Sequence, residues 1–186
     1  MPKSIQELTD LIAELPGLGP RQARRIVQYL LRADASFKKK LADRVVTLTD
    51  GISRCASCFR FDETDNKKLC PLCADQGRDR STLLVVEKDV DVEGIGSAGM
   101  YRGQYFVLGS LMPLTKQRRS ALSPRVTELL AGLKKRVPDV KEVVLAFATT
   151  PEGDYTAREL KRNLTETFPA ITTSFLGPGL SLGPEI

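Results

Sequence analysis

Four cysteines stand in two matched pairs, Cys55-Ala56-Ser57-Cys58 and Cys70-Pro71-Leu72-Cys73, in a chain of 186 residues with no other cysteine and no histidine. Two such knuckles separated by a short loop suit a tetrahedral zinc site, each turn presenting two thiolates to the same ion. With histidine absent, the ligand set is Cys55, Cys58, Cys70 and Cys73. Four protein ligands leave no position for water or substrate, so one structural zinc per chain is expected. The lack of histidine also excludes Ser-His-Asp triads, Cys-His dyads and any histidine base. Two disulfides or four unrelated thiols are the alternatives. Disulfides need an oxidising compartment, and the polar opening Met1–Glu7 is no signal peptide.

The second constellation is Leu15-Pro16-Gly17-Leu18-Gly19-Pro20-Arg21. A Gly-x-Gly turn between two helices brings backbone N–H groups close to a phosphate, and the following helix adds its positive end. Arg21 and Arg25, four residues apart with Arg24 beside them, can reach a nucleic-acid backbone without reading its sequence. The plain alternative is a helix–helix turn. Charge placement favours the polyanion. Of the net +5, residues 1–54 carry 10 basic and 6 acidic side chains, residues 55–80 carry 5 of each, and residues 81–186 carry 13 and 12. Arg54, Arg60, Lys67 and Lys68 are balanced by nearby acids, and Leu114–Arg119 reads as a surface loop.

The third is a set of carboxylates at the ends of apolar runs: Glu87 closing Thr82–Glu87 with Asp91 four residues on, and Glu152 and Asp154 in the segment after Glu142–Phe147. In a parallel α/β sheet the C-terminal strand ends face a common crevice, so these four can converge on Mg²⁺ for phosphoryl transfer. Alternatively they sit at helix N-termini, where the dipole favours acids.

The elements that must position these groups follow from periodicity. Ser4-x-x-Glu7 reads as a capping box for a helix carrying Ile5, Leu8, Leu11, Ile12 and Leu15. A second helix has Ala23, Ile26, Val27, Leu30 and Leu31 on one face. A third, from Ser36, is expected to bury Phe37, Leu41, Val45 and Leu48. Residues 54–77 are polar, so metal binding is expected to supply their folding energy. From Ser81 the pattern becomes four strand-like runs, Thr82–Glu87, Gln104–Leu108, Glu142–Phe147 and Ile171–Phe175. Helical stretches separate them, clearest at Ser123–Val137 and Tyr155–Thr167. That alternation predicts an α/β fold with a parallel sheet flanked by helices, preceded by a small helical domain. No apolar run approaches membrane length, which points to the cytoplasm.

Taken in order, these parts resemble the RecR family of bacterial recombination mediators. The resemblance rests on the Leu15–Arg21 hairpin, the Cys55/Cys58/Cys70/Cys73 finger, Thr82–Glu87 opening a Toprim domain, Gly103–Leu108 with Leu111-x-Pro113-Leu114, and Pro151-Glu152-Gly153-Asp154-x-Thr156-Ala157. It implies a helix-hairpin-helix DNA-binding domain over 1–53, a four-cysteine zinc finger over 54–78, a Toprim domain over 79–176 and a tail over 177–186. It implies further a non-catalytic DNA clamp, a homodimer or homotetramer. Such a clamp binds single- and double-stranded DNA or their junctions, and works with RecO and RecF to load RecA onto single strands. Arg21 and Arg25 would line the ring. Glu87, Asp91, Glu152 and Asp154 would form a partner-binding face, with any Mg²⁺ there not catalytic. Related Toprim enzymes place an Asp-x-Asp pair where this chain has Ala148-Thr149-Thr150, which argues against the alternative, a Mg²⁺-dependent nuclease or primase-like enzyme. Two departures accompany the resemblance. Gly177-Pro178-Gly179-Leu180 stands where the family has Arg before Gly-Leu, and the tail to Ile186 is short for a family whose final segment helps join subunits.

Overall fold

The computed structural model describes residues 2–64, 68–114, 124–136 and 139–177. Lys67, Ser123, Val137, most of the Leu114–Arg119 segment and nearly all of the 177–186 tail lie outside the described residues. The chain divides into two compact units, Met1–Asp50 and Gly51–Ile186.

The first unit holds α1 (Lys3–Ala13), α2 (Pro20–Arg32) and α3 (Ala35–Val46). The expected Ser4–Glu7 capping box does not form. Pro2 is the N-cap, the helix begins at Lys3, and Glu7 pairs with Lys3 at 3.6 Å. The buried residues are few: Thr9 from α1 and Ala23 and Val27 from α2. The hydroxyl of Thr9 donates to the Ile5 carbonyl at 2.7 Å, which makes a polar residue tolerable there. α3 is capped as its sequence suggests, the Asp34 carboxylate accepting from the Phe37 amide at 2.8 Å. Its expected apolar face is not buried. Phe37, Leu41, Val45 and Leu48 are all exposed. Three short helices have too little surface to cover one another on every side, so the face left over is that of the last helix.

The second unit begins with a small antiparallel hairpin, β1 (Ile52–Arg54) and β2 (Phe61–Glu63), with Arg54 opposite Phe61. The one-turn α4 (Pro71–Ala74) follows. Then come β3 (Thr82–Val86), α5 (Asp89–Ser97), β4 (Gln104–Val107), α6 (Pro124–Lys134), β5 (Glu142–Ala146), α7 (Pro151–Thr167) and β6 (Thr172–Phe175). The four later strands form one parallel sheet in the order β4-β3-β5-β6, with Thr82 opposite Glu142 and Val86 opposite Val107. The α/β class and all four strands are as read from the sequence.

Both faces of the sheet are apolar, and alternation along β3 assigns its side chains to opposite sides. Leu83 and Val85 pack with Val126, Leu129 and Leu133 of α6 and Leu160 and Leu164 of α7. Leu84 and Val86 pack with Val92 of α5, with Tyr105 and Val107, and with Cys55, Cys58 and Cys70. The second face is thus covered by one short helix and by the cysteine segment. The cysteine segment is therefore part of the core of the sheet unit.

α7 starts four residues earlier than its apolar pattern suggests. Thr150 caps it, its hydroxyl accepting from the Gly153 amide at 3.1 Å, and Pro151 occupies the first turn. Gly153 lies so close to the chain leaving β5 that a Cβ there would collide with the Ala148 carbonyl oxygen. Gly132 of α6, in contrast, faces open space. Gly153→Ala is therefore expected to lower unfolding stability by about 1–3 kcal/mol. Gly132→Ala should raise it by up to about 1 kcal/mol. Urea titrations followed by circular dichroism check both; equal effects would refute this account of the β5–α7 junction.

Candidate metal centre and nucleic-acid interface

The two knuckles are built by backbone geometry. Cys55 follows β1, and its carbonyl accepts from the Phe59 amide at 3.0 Å, closing the first turn. Pro71 starts α4 immediately after Cys70, so the Cys73 and Ala74 amides fold back on the Cys70 carbonyl at 3.0 and 2.9 Å. The Ala56 amide donates to the Lys68 carbonyl at 2.8 Å and ties one knuckle to the other. Phe59 holds φ +63°, a left-handed conformation uncommon for a bulky residue. Its ring is fixed by Phe106, centroids 5.3 Å apart, and by the Arg125 guanidinium 5.5 Å away. That packing offsets the backbone cost.

The result brings all four predicted cysteines together. Their Sγ atoms lie within 4.8 Å of one another, and Cys58 and Cys70 are 3.7 Å apart. The Ser57 and Cys70 amides both point at the Cys55 sulfur, at 3.4 Å each. Hydrogen bonds from Cys58, Cys70 and Cys73 hold the Cys55 thiol well below the ordinary thiol range. Cys58 and Cys73 are pushed up, chiefly by their bonds to Cys55. Cys70 is lowered as well, so four thiols held this close compete for their protons when no counter-charge is present. A bound cation removes that conflict and lets all four be thiolates. The donor set fits a closed metal site.

Three contacts tie this centre to the sheet. The Val107 amide, on the free edge of β4, donates to the Cys58 carbonyl at 2.8 Å. Arg136, just past α6, donates to Ser57 Oγ at 2.6 Å and to Gln104 Oε1 at 3.0 Å. Asp89, at the start of α5, accepts from the Phe61 amide at 2.9 Å. The sequence reading missed Arg136 and Asp89. Each acts across long sequence separation, where local spacing carries no signal.

The arginines sit where the hairpin motif places them. Gly17 makes the turn with φ +78°, and Gly19 caps α2 without a side chain, followed by Pro20. At about 100° per residue, Arg21, Arg24, Arg25, Gln28 and Arg32 fall within an arc of roughly 100°. All five are exposed. Arg32 was not among the expected residues, although its distance of seven from Arg25 places it in the same row. Ala23 and Val27 are buried on the other side, so the stripe belongs to solvent.

The carboxylates divide differently from the converging set the sequence suggested. Glu87 leaves the end of β3 and pairs with Lys88 at 3.3 Å. Asp91 is in the first turn of α5, its carboxylate accepting from the Lys88 amide at 2.8 Å. Glu152 and Asp154 are in the first turn of α7. Glu87 and Asp91 border one hollow at the C-terminal strand ends. Asp154 borders the next, which shares Phe147, Ala148 and Leu176. Among the described residues, the four cysteines are the only group of three or more His, Cys, Asp or Glu side chains close enough to share an ion. The helix-terminus reading therefore describes Asp91, Glu152 and Asp154, and the four acids do not meet around one metal.

Comparison with known proteins covers both units. Residues 5–48 match the sequence profile of the family described as RecR, helix-hairpin-helix, and residues 81–173 match that of the Toprim domain. Over 185 residues the chain is 36% identical to the recombination protein RecR of Rhodococcus jostii (strain RHA1), covering 98% of this chain and 89% of that protein. It is 35% identical over 188 residues to that of Mycobacterium tuberculosis (strain ATCC 25618 / H37Rv), covering 98% and 88%. For Bifidobacterium adolescentis the figures are 36% over 184 residues, 98% and 88%.

Arg136→Met keeps the length of the side chain and removes the bonds to Ser57 and Gln104. Two partly buried acceptors lose their donor, an expected cost of about 1–3 kcal/mol in unfolding free energy. Bound metal per chain should stay as in the unaltered protein. Elemental analysis beside urea titration checks this; loss of metal would make Arg136 part of the centre rather than its brace.

Proposed function

The chain belongs to the RecR family of recombination proteins, and from that premise we propose that it is a DNA-binding mediator of recombinational repair with no catalytic activity of its own. The observation that carries the reading is the α2 stripe. Four exposed guanidiniums line one face of a helix whose N-terminus follows a Gly-x-Gly turn. That surface suits contacts to phosphates, which hold DNA without regard to its sequence. The expected substrates are single and double strands or their junctions. The expected partners are those the family resemblance implies, RecO and RecF, with RecA as the protein loaded onto single strands. A homodimer or homotetramer acting as a clamp in the cytoplasm completes the proposal. No helix among the described residues is long and apolar enough to cross a membrane.

The sheet unit supports a role without chemistry. Thr150 stands near the point where related Toprim enzymes carry an Asp-x-Asp pair, and its hydroxyl is engaged in capping α7. Glu87, Asp91, Glu152 and Asp154 form the partner-binding face in this proposal, spread over two neighbouring hollows instead of gathered on a metal.

The metal in the cysteine centre is zinc in this reading. Zinc–sulfur bonds of about 2.3 Å set the edges of a sulfur tetrahedron at roughly 3.8 Å, and the Cys58–Cys70 separation is 3.7 Å. Cys55, Cys58, Cys70 and Cys73 would hold it, and its contribution is to fix the two knuckles against β4.

Two measurements test these proposals. Arg21→Ala combined with Arg25→Ala should weaken binding to gapped DNA at least ~10-fold at low salt and reduce the slope of log K against log salt by about 2. Retarded DNA on a native gel with intact strands on a denaturing gel, in Mg²⁺, is the expected pattern. Strands shortened or extended by the unaltered chain but not by Glu87→Gln would make it an enzyme. Separately, Cys58→Ser should abolish stoichiometric zinc and lower the melting temperature. Full zinc content in that variant would dismiss the four-cysteine set.

A further inference from the structure

Tyr29 sits on α2 four residues after Arg25 and three before Arg32, and it lines the same surface groove as Arg24, Arg25, Gln28 and Arg32. Helical geometry sets it at the border of the arginine stripe, about 40° round from Arg25. Its side chain is 61% exposed, unusual for a tyrosine beside the apolar side of a helix. The ring does not hang free. Phe37 of α3 meets it nearly at right angles, 86° between planes with centroids 5.9 Å apart. A perpendicular contact takes up one edge or one face and fixes the ring's orientation while leaving it largely open.

We propose that Tyr29 is a stacking platform for an unpaired base, so that the α2 groove takes a single-stranded segment of DNA with its phosphates on Arg25 and Arg32. An oriented aromatic ring flanked by guanidiniums one helical turn to either side is the arrangement that single-strand binding requires. The charges follow the backbone, and the ring takes a base without regard to its identity. Duplex DNA offers the arginines the same phosphates but keeps its bases stacked on one another, so Tyr29 contributes there only as a neighbour. Stacking on this ring therefore distinguishes single strands from duplex on a surface whose charges do not. The inference rests on the reading of α2 as the DNA face.

Tyr29→Leu should weaken binding of the full chain to a thymine-rich single strand by roughly 5- to 150-fold, the range for loss of one base–aromatic stack. Affinity for a duplex of equal length should stay within about twofold, and Tyr29→Phe should retain the single-strand affinity. In a second experiment the unaltered chain is irradiated with a single strand carrying 5-iodouracil, and the adduct should map by mass spectrometry to the peptide containing Tyr29. Undiminished single-strand affinity in Tyr29→Leu, equal losses on both DNAs, or an adduct elsewhere overturns the proposal, the last whether or not Tyr29→Leu folds. Arg21→Ala with Arg25→Ala separates the two levels. If that variant loses duplex and single-strand binding while Tyr29→Leu loses neither, the DNA face stands and the stacking role falls. If it loses neither, both fall, and the groove serves a protein partner.

Discussion

The backbone hydrogen bond from the Val107 amide to the Cys58 carbonyl, 2.8 Å long, crosses the line on which the α/β unit depends. β4 is an edge strand of a parallel sheet, and its outward amides need partners or cover. The cysteine segment supplies both. It bonds to the edge and lays Cys55, Cys58 and Cys70 over Leu84, Val86, Tyr105 and Val107. Yet its own secondary structure is a hairpin of three-residue strands and a helix of one turn, neither able to persist alone. The four cysteines, close enough to share an ion, can hold the knuckles while these hold the sheet. The cysteine cluster is accordingly part of a hydrophobic core as well as a ligand set. This explains why so polar a segment contributes three of the chain's most buried residues.

α2 meets the opposite demand. Its Pro20–Arg32 sequence contains five apolar or aromatic residues after Ala23 but no acid, and its cap residue is a glycine. Nothing in the helix offsets the positive end of its dipole or the guanidiniums of Arg21, Arg24 and Arg25 near it, and only Arg32, in the last turn, meets the negative end. The unit has little core against which to set that cost, since only Thr9, Ala23 and Val27 are buried within it. An arrangement that is unfavourable alone becomes favourable when an anion is bound. The salt dependence expected of DNA binding follows from the same electrostatics.

What was legible in the sequence was whatever local spacing encodes. Two Cys-x-x-Cys turns, a Gly-x-Gly hairpin and β-branched runs repeat at intervals the backbone dictates, and the elements built from them stand where they were read. The failures share a cause. Ser4-x-x-Glu7 matched a capping pattern, but Pro2 already set the backbone for the first turn, so the helix began two residues too soon for Ser4 to cap it. The apolar residues of α3 matched a buried face, but burial requires a partner surface, and a 50-residue unit has none to spare. The placement of the cysteine segment on the sheet depends on Arg136 reaching Ser57 across 79 residues, which no short-range pattern contains. Glu87 was read as closing its strand and stands just past it, while Glu152 and Asp154 lie inside α7, which begins four residues sooner than its apolar periodicity indicates, and the four acids do not gather at one point.

The early start of α7 also shapes the C-terminal end of the sheet. In a doubly wound sheet the C-terminal strand ends are where ligands bind, because loops there are free to present side chains. Here the loops are short and their polar groups already engaged. Asp91 accepts from the Lys88 amide, Thr150 from the Gly153 amide, and Gly153 is pressed against the Ala148 carbonyl. What remains open at that end is apolar with a border of mixed charge: Phe147, Leu176 and Val90 beside Glu87, Asp91 and Asp154, with Lys88 and Arg158 among them. Among the described residues no carboxylate set is gathered there closely enough to share an ion, and a half-apolar surface of mixed charge is of the kind that docks another protein. In the proposed function the arginines of the helical unit serve nucleic acid and these half-apolar hollows of the sheet unit serve a partner, so that a protein recruited there would not compete with DNA for the same basic side chains.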